Sequence, residues 1–256
     1  MAEERQTNYT VMEGYELPSK GLIYETKVNP HVELRSMTAK DEMKRLAPST
    51  TPLKTLADII EGCMIEKPAI HVYDMILGDY EYLLHKLRVV TYGDEYKMII
   101  GCPECDKTFE AIAHLDELEL KDFDPNKFEE LRTFTLPKSG RRITLKFTTP
   151  HMLDDIEIKT KEAQRKYKTA SIDFETQIKV LSSIESIDGE VKGIVDLENI
   201  INNLPAADFQ KIQNNIDKLN QCIGLNNELF ITCPHCGNEV RTFFRFGPEF
   251  FRPTTL

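Results

Sequence analysis

Six cysteines lie along the chain, and four of them come in pairs two residues apart: Cys102 with Cys105, and Cys233 with Cys236. Two CxxC pairs offer four thiolates, the ligand set of a closed, tetrahedral, structural Zn2+ site. A proline follows the first cysteine of each pair, and Gly237 follows the second pair. That composition suits a tight knuckle whose backbone N–H groups turn toward sulfur and whose glycine takes a positive φ. A redox CxxC of the thioredoxin kind wants a strand before it and a helix after it. Here β-prone runs flank both sides. A catalytic zinc keeps an open position with His or carboxylate ligands, whereas four cysteines close the sphere. His235, inside the second knuckle, has the chemistry to replace a sulfur, but the reading adopted points it outward. Cys63 and Cys222 fall in helical patterns and read as core thiols.

The elements that must hold these ligands are hairpins. "EYKMII" leads into Cys102 and "KTFEAIAHL" leads out; "NELFIT" leads into Cys233 and "NEVRTFFRF" leads out. Two knuckle-tipped hairpins clamping one ion describe a zinc ribbon, here split by a long insertion. Each doubling of a loop's length adds only about 0.6 kcal/mol to the cost of closing it. Zinc binding in small structural sites is worth about 10–16 kcal/mol at neutral pH. A ribbon therefore tolerates a whole domain between its halves, and the metal then fixes a scaffold rather than a reaction centre.

The 256 residues suffice for one large or two small domains. A hydrophobic content of 41% and a charged content of 29% fit a soluble globular chain. The net charge of −10 disfavours generic binding to phosphate backbones. No apolar run approaches the ~20 residues of a membrane span. The start, "MAEERQTNYTVMEG", lacks the apolar core of a signal peptide. A reducing cytoplasm is the compartment expected, and there CxxC pairs favour metal over disulfides.

The expected fold is α+β: a split zinc-ribbon-like β module, a helical N-terminal region and a mainly helical insertion. Residues 1–30 read as an extended arm, with a turn at Pro18–Gly21. Residues 31–120 and 225–247 read as the core domain. "HVELRSM" alternates as a strand; Thr38 with Asp41 is a capping-box variant; Thr51 before Pro52 opens a helix. One long helix is expected from about His71 to Val90. The insertion spans 121–224, beginning with an acidic, solvated connection. A hairpin is expected at 132–149 around "PKSG", followed by a helix from Pro150. The cations of that helix, Lys159, Lys161, Arg165, Lys166 and Lys168, read as a solvated face that satisfies the helix dipole. A helix through Phe174, Ile178, Leu181 and Ile184 then meets a turn at Asp188–Gly189, and two helices follow, joined at Leu204–Pro205.

Residues 248–256 read as a C-terminal tail. Phe243, Phe244, Phe246, Phe250 and Phe251 crowd there with Arg245 and Arg252, a composition typical of interface cores. They are the candidate partner-binding residues; packing on the chain's own domain is the alternative. No GxxxxGK[ST], GxGxxG or HExxH is present, nor GxSxG, so no catalytic residue is assigned and no enzymatic activity is expected.

The order of features is specific even though each is short: "LPSKGLIY", then "VELRSMTAKDEMKRL", "CPEC", "IESIDG", "LPAADFQKI" and "CPHCG". From about Leu17 to Phe246 the chain resembles the baseplate hub and hub-assembly proteins of T-even-like contractile-tailed bacteriophages. The resemblance implies a virion structural protein of the central baseplate hub, present in several copies in an assembly. It implies contact with other hub, spike or tape-measure proteins, in the host cytoplasm during assembly and then in the tail baseplate. The alternative within the family is a hub-assembly factor or chaperone outside the virion. A second alternative is a zinc-ribbon regulator that binds nucleic acid. It would want a basic ribbon face, whereas "CPECDKTFEAIAHLDEL" is acidic. An enzyme using the zinc would need one knuckle cysteine to stay off the metal.

Overall fold

The computed structural model describes residues 11–167, 173–244, 246 and 248–251. Strand β1 (Met12–Glu16) pairs antiparallel with β2 (His31–Arg35). Between them the predicted turn is present, with Lys20 and Gly21 at φ 53° and 69°. A Cβ at Gly21 would meet the Val28 carbonyl oxygen at 2.5 Å. This segment is not a free arm. Leu17 and Val28 are buried in the first core, and the Ser19 N–H and hydroxyl and the Tyr24 hydroxyl all donate to buried Asp79. Two apolar residues and a satisfied polar cluster tie the segment down more firmly than its turn composition suggested.

Helix α1 (Ala39–Leu46) starts with the predicted box: the Thr38 hydroxyl accepts from the Asp41 N–H and the Asp41 carboxylate accepts from the Thr38 N–H. Helix α2 (Pro52–Cys63) has proline in its first turn, as expected, and buries Leu56, Ile59 and Ile60. The long helix predicted from His71 is broken. A single turn at Val72–Asp74 is followed by extended residues Met75 and Ile76, and only then by α3 (Leu77–Tyr92). The His71 side chain caps the turn at Tyr73, and the Leu77 N–H is taken by the Thr148 carbonyl, which fixes a new helix start. Met75 and Ile76 are buried all the same, so a helical apolar stripe was mimicked by two shorter elements.

Strands β3 (Glu95–Gly101) and β4 (Thr108–His114) form the first cysteine hairpin. The supposed solvated connection contains helix α4 (Pro125–Arg132), whose Phe128 and Leu131 pack on the second core. β5 (Thr133–Thr135) and β6 (Arg142–Leu145) are the expected hairpin, and buried Asp208 accepts from the Lys138 and Ser139 N–H groups of its turn. Helix α5 (Pro150–Lys166) leads to α6 (Phe174–Ser183). Ile184 does not continue α6 but opens β7 (Ile184–Ile187), which joins β6 as a third strand. Helices α7 (Ile194–Asn202) and α8 (Ala206–Gln221) follow, and β8 (Glu228–Thr232) and β9 (Glu239–Phe243) form the second cysteine hairpin.

The class is α+β, with three apolar clusters among the described residues. The first gathers Leu34, Leu56, Ile60, Leu83 and Leu87. The second gathers Ile143, Leu145, Val180, Ile212 and Leu219. The third, small one holds Ile100, Phe109 and Val240 beside Cys102 and Cys233. The chain passes between the first two through paired segments, where Leu120 bridges Leu225 and Asn226 N–H donates to the Glu119 carbonyl at 2.8 Å. Asp154 of α5 stitches them again, accepting from the Lys54 N–H and the Tyr73 hydroxyl. Among the described residues, no helix is long and apolar enough to cross a membrane.

Candidate metal centre

Each CxxC sits where its hairpin turns. In the first, the Cys102 N–H donates to the Lys107 carbonyl and the Asp106 N–H returns to the Cys102 carbonyl at 3.0 Å. In the second, the Cys233 N–H donates to Asn238 and the Gly237 N–H returns to Cys233 at 2.9 Å. The fourth residue after the leading cysteine takes positive φ in both: Asp106 at 54° and Gly237 at 76°. Glycine does this freely and aspartate tolerates it. The glycine was legible in sequence; Asp106, its counterpart, was missed because an aspartate there carries no special signal.

The two tips meet. Cys102 Sγ lies 3.6 Å from Cys236 Sγ, and Cys105 Sγ lies 3.8 Å from Cys233 Sγ. All four sulfurs are within 4.8 Å of one another. A tetrahedron with Zn–S bonds near 2.3 Å has edges of about 3.8 Å, so the donor set fits a zinc ion in number, chemistry and spacing. The six cysteines are free thiols. Cys102 and Cys233 are buried, Cys105 half-buried and Cys236 exposed. Crowding splits their titration. Burial pushes the Cys233 thiol up, but the His235 and Cys236 N–H groups outweigh it and bring it to about 7. The Asn238 N–H pulls Cys236 down, but burial and the neighbouring sulfurs drive it up to about 12. Four thiols so close share protons unless a cation compensates their charge.

His235 is exposed and stands outside this cluster. Cys63 is fully buried in the first core, and burial raises its thiol to about 11. Cys222 packs on the second core, its thiol donating to the Leu219 carbonyl. Asp94, His114 and Asp116 also converge, but on the surface, where His114 and Asp94 make an ion pair at 3.1 Å.

The aromatic partner-binding residues divide differently from expectation. Phe244, Phe250 and Phe251 are buried in the chain's own first core, the alternative packing. The short turn Pro248–Phe251 inserts Phe250 against Tyr96, with ring centroids 5.5 Å apart, and against the guanidinium of fully buried Arg88. Phe251 lies under Arg45. Phe246 is half-buried against Phe244 and Phe250. The core had room for aromatic side chains that no periodic element of the sequence announced. Phe243 is half exposed, with Arg241 over its ring. Arg245 and Arg252 lie outside the described residues.

A family model described as T4 bacteriophage base plate protein matches residues 13–252, nearly the whole chain. The chain belongs to that family. Its place among the base plate proteins of T4-like phages gives it a structural role in a phage baseplate, assembled with other baseplate proteins. No curated protein and no solved structure matches it. The four-cysteine cluster is thus a feature of a base plate protein, and its two halves lie inside the matched span.

Proposed function

We propose that this base plate protein is a structural subunit of the central hub of the contractile tail, held in shape by one Zn2+ on Cys102, Cys105, Cys233 and Cys236. The observation that carries the baseplate reading is the family match across residues 13–252. Zinc is supported by the four sulfurs and their spacing. With four thiolates bound, zinc offsets half of their negative charge and leaves no position for substrate. The chain then acts by contact and not by catalysis. Its own residues do the rest: Pro103 and Pro234 tighten the knuckles, Asp106 and Gly237 supply the positive φ, and the two hairpins, so joined, become a zinc ribbon. The net charge of −10 favours protein partners in the hub, spike or tape measure over nucleic acid.

The test pairs metal content of the purified protein with mass spectrometry of purified phage particles. One zinc per chain with the protein present in particles is the expected result. Zinc-bearing protein absent from particles would replace the hub subunit with an assembly factor that leaves before completion. Metal-free protein with intact thiols would remove the zinc ribbon.

A further inference from the structure

The two cysteine hairpins leave a groove along one side. β4 pairs only with β3, and β8 only with β9, so among the described residues each offers a backbone edge that no other strand occupies. The groove between these edges has a volume of about 330 Å3. Its lining includes large apolar side chains, Ile112 from β4, Leu118 just beyond it, and Leu229, Phe230 and Ile231 from β8. Ile112 and Phe230, which both line the groove, are 51% and 59% exposed, high values for large apolar side chains.

Open strand edges are a hazard that proteins ordinarily guard with lysine, proline or a bulge. Neither "TFEAIAH" nor "ELFIT" contains lysine or proline, and both hairpins keep an unbroken register. The remaining lining is acidic: Glu117, Glu119 and Glu228, with His114 and no lysine or arginine. Two cations sit on the outer strands. Lys97 is across from Ile112 in register, and Arg241, across from Phe230, is engaged by Glu228. Unpaired backbone calls for an extended chain, the apolar lining residues for alternate apolar side chains, and the carboxylates for cations between them.

We propose that the groove between β4 and β8 binds an extended segment of a partner protein, apolar at alternate residues and carrying lysine or arginine at the others, as an added strand. β4 runs away from the cysteines and β8 toward them, so the guest pairs antiparallel with one edge and parallel with the other. The proposal deepens the reading of the chain as an assembly protein and rests on it.

The test uses the zinc-loaded full chain and a fluorescein-labelled short peptide of alternating valine and lysine, read by fluorescence anisotropy. Two control peptides replace lysine by glutamate or methylate the backbone nitrogens. The lysine peptide is expected to bind and both controls to fail. Phe230→Ala, and the double change Glu117→Gln with Glu119→Gln, should each weaken binding about tenfold, the scale of one lost interface anchor. Unchanged zinc content shows that the variants fold. Equal binding of the N-methylated peptide would reduce the effect to charge attraction and overturn the added strand. Absent binding, or binding indifferent to Phe230→Ala, would also overturn it. Self-association abolished by Phe230→Glu would assign the groove to a second copy and overturn the basic partner. The particle measurement above is independent, so a failed peptide assay with the protein present in particles removes the groove alone.

Discussion

Removing one sulfur of the Cys102, Cys105, Cys233 and Cys236 cluster leaves three ligands and an open position, so each Cys→Ser change there should abolish stoichiometric zinc. Cys63→Ser and Cys222→Ser should leave it intact, because those thiols sit in separate cores. Metal analysis of the six purified variants checks this. A second residue-scale expectation concerns two titratable groups on α3. His85 is buried with Nε2 on the Leu115 carbonyl and Nδ1 without a partner. Burial lowers it to about 4, helped by Lys86. An unfolded histidine titrates near 6.5, so His85 contributes stability that is full above that pH and lost as pH falls toward 4, roughly 3 kcal/mol in all. Glu81 has the opposite sign. Burial raises it to about 7 against the pull of Lys121, so its contribution is full below pH 4.5 and lost as pH rises to 7. In the wild type the two offset each other. His85→Gln should become more stable as pH falls from 7 to 4.5, and Glu81→Gln less stable. Urea midpoints against pH measure both slopes. Neither residue stood out in the sequence, where each is one of several polar positions on α3, beside Asp79, Lys86, Arg88 and Thr91; burial is set by what packs on it.

At the scale of elements, the sharpest constraint is where α3 meets the segment leaving α8. A Cβ at Gly78 would lie 2.6 Å from the Ile223 carbonyl oxygen, and Gly224 faces it at φ 113°. Both neighbours are backbone and cannot swing aside. Gly78→Ala should cost about 1–3 kcal/mol, the range of an overpacked core. Gly62→Ala in α2 meets nothing within 4 Å and should gain about 0.5–1 kcal/mol from helix propensity alone. Urea unfolding of the pair decides whether the contact or the propensity governs. Local signals were readable wherever chemistry was local: the Thr38–Asp41 box, Pro52 in the first turn of α2, and both knuckles. They failed where a partner distant in sequence decided the outcome. β7 reads like the tail of α6 until β6 is beside it. Met75 and Ile76 continue a helical stripe until Thr148 takes the Leu77 N–H. The acidic run before Thr133 looks solvated until Phe128 and Leu131 find the second core.

Across the whole molecule, the three clusters differ in what sustains them. The third has few apolar side chains, with Ile100, Phe109 and Val240 at its centre. Each is worth roughly 1.5–3 kcal/mol of burial, less together than the about 10–16 kcal/mol of a structural zinc. On the proposed zinc site the metal would do more than this packing to hold the hairpins, whereas the second cluster, whose buried residues lie between Leu136 and Leu219, depends on its own packing. Stripping zinc with a chelator at neutral pH should accelerate amide exchange in 95–114 and 228–243. Strands β5–β7 and helix α8 should keep their protection. Uniform acceleration would mean that the clusters unfold as one unit, and unchanged protection of the hairpins would mean that packing alone joins them. The expected, local response has a consequence for assembly. β4 and β8 lie in different hairpins, so the distance between their open edges is fixed by the sulfur cluster at one end and by the Leu120–Leu225 bridge at the other. Loss of the metal frees one of these two ends, so the same chelation that loosens the hairpins should abolish binding of the valine–lysine peptide while leaving the second core folded.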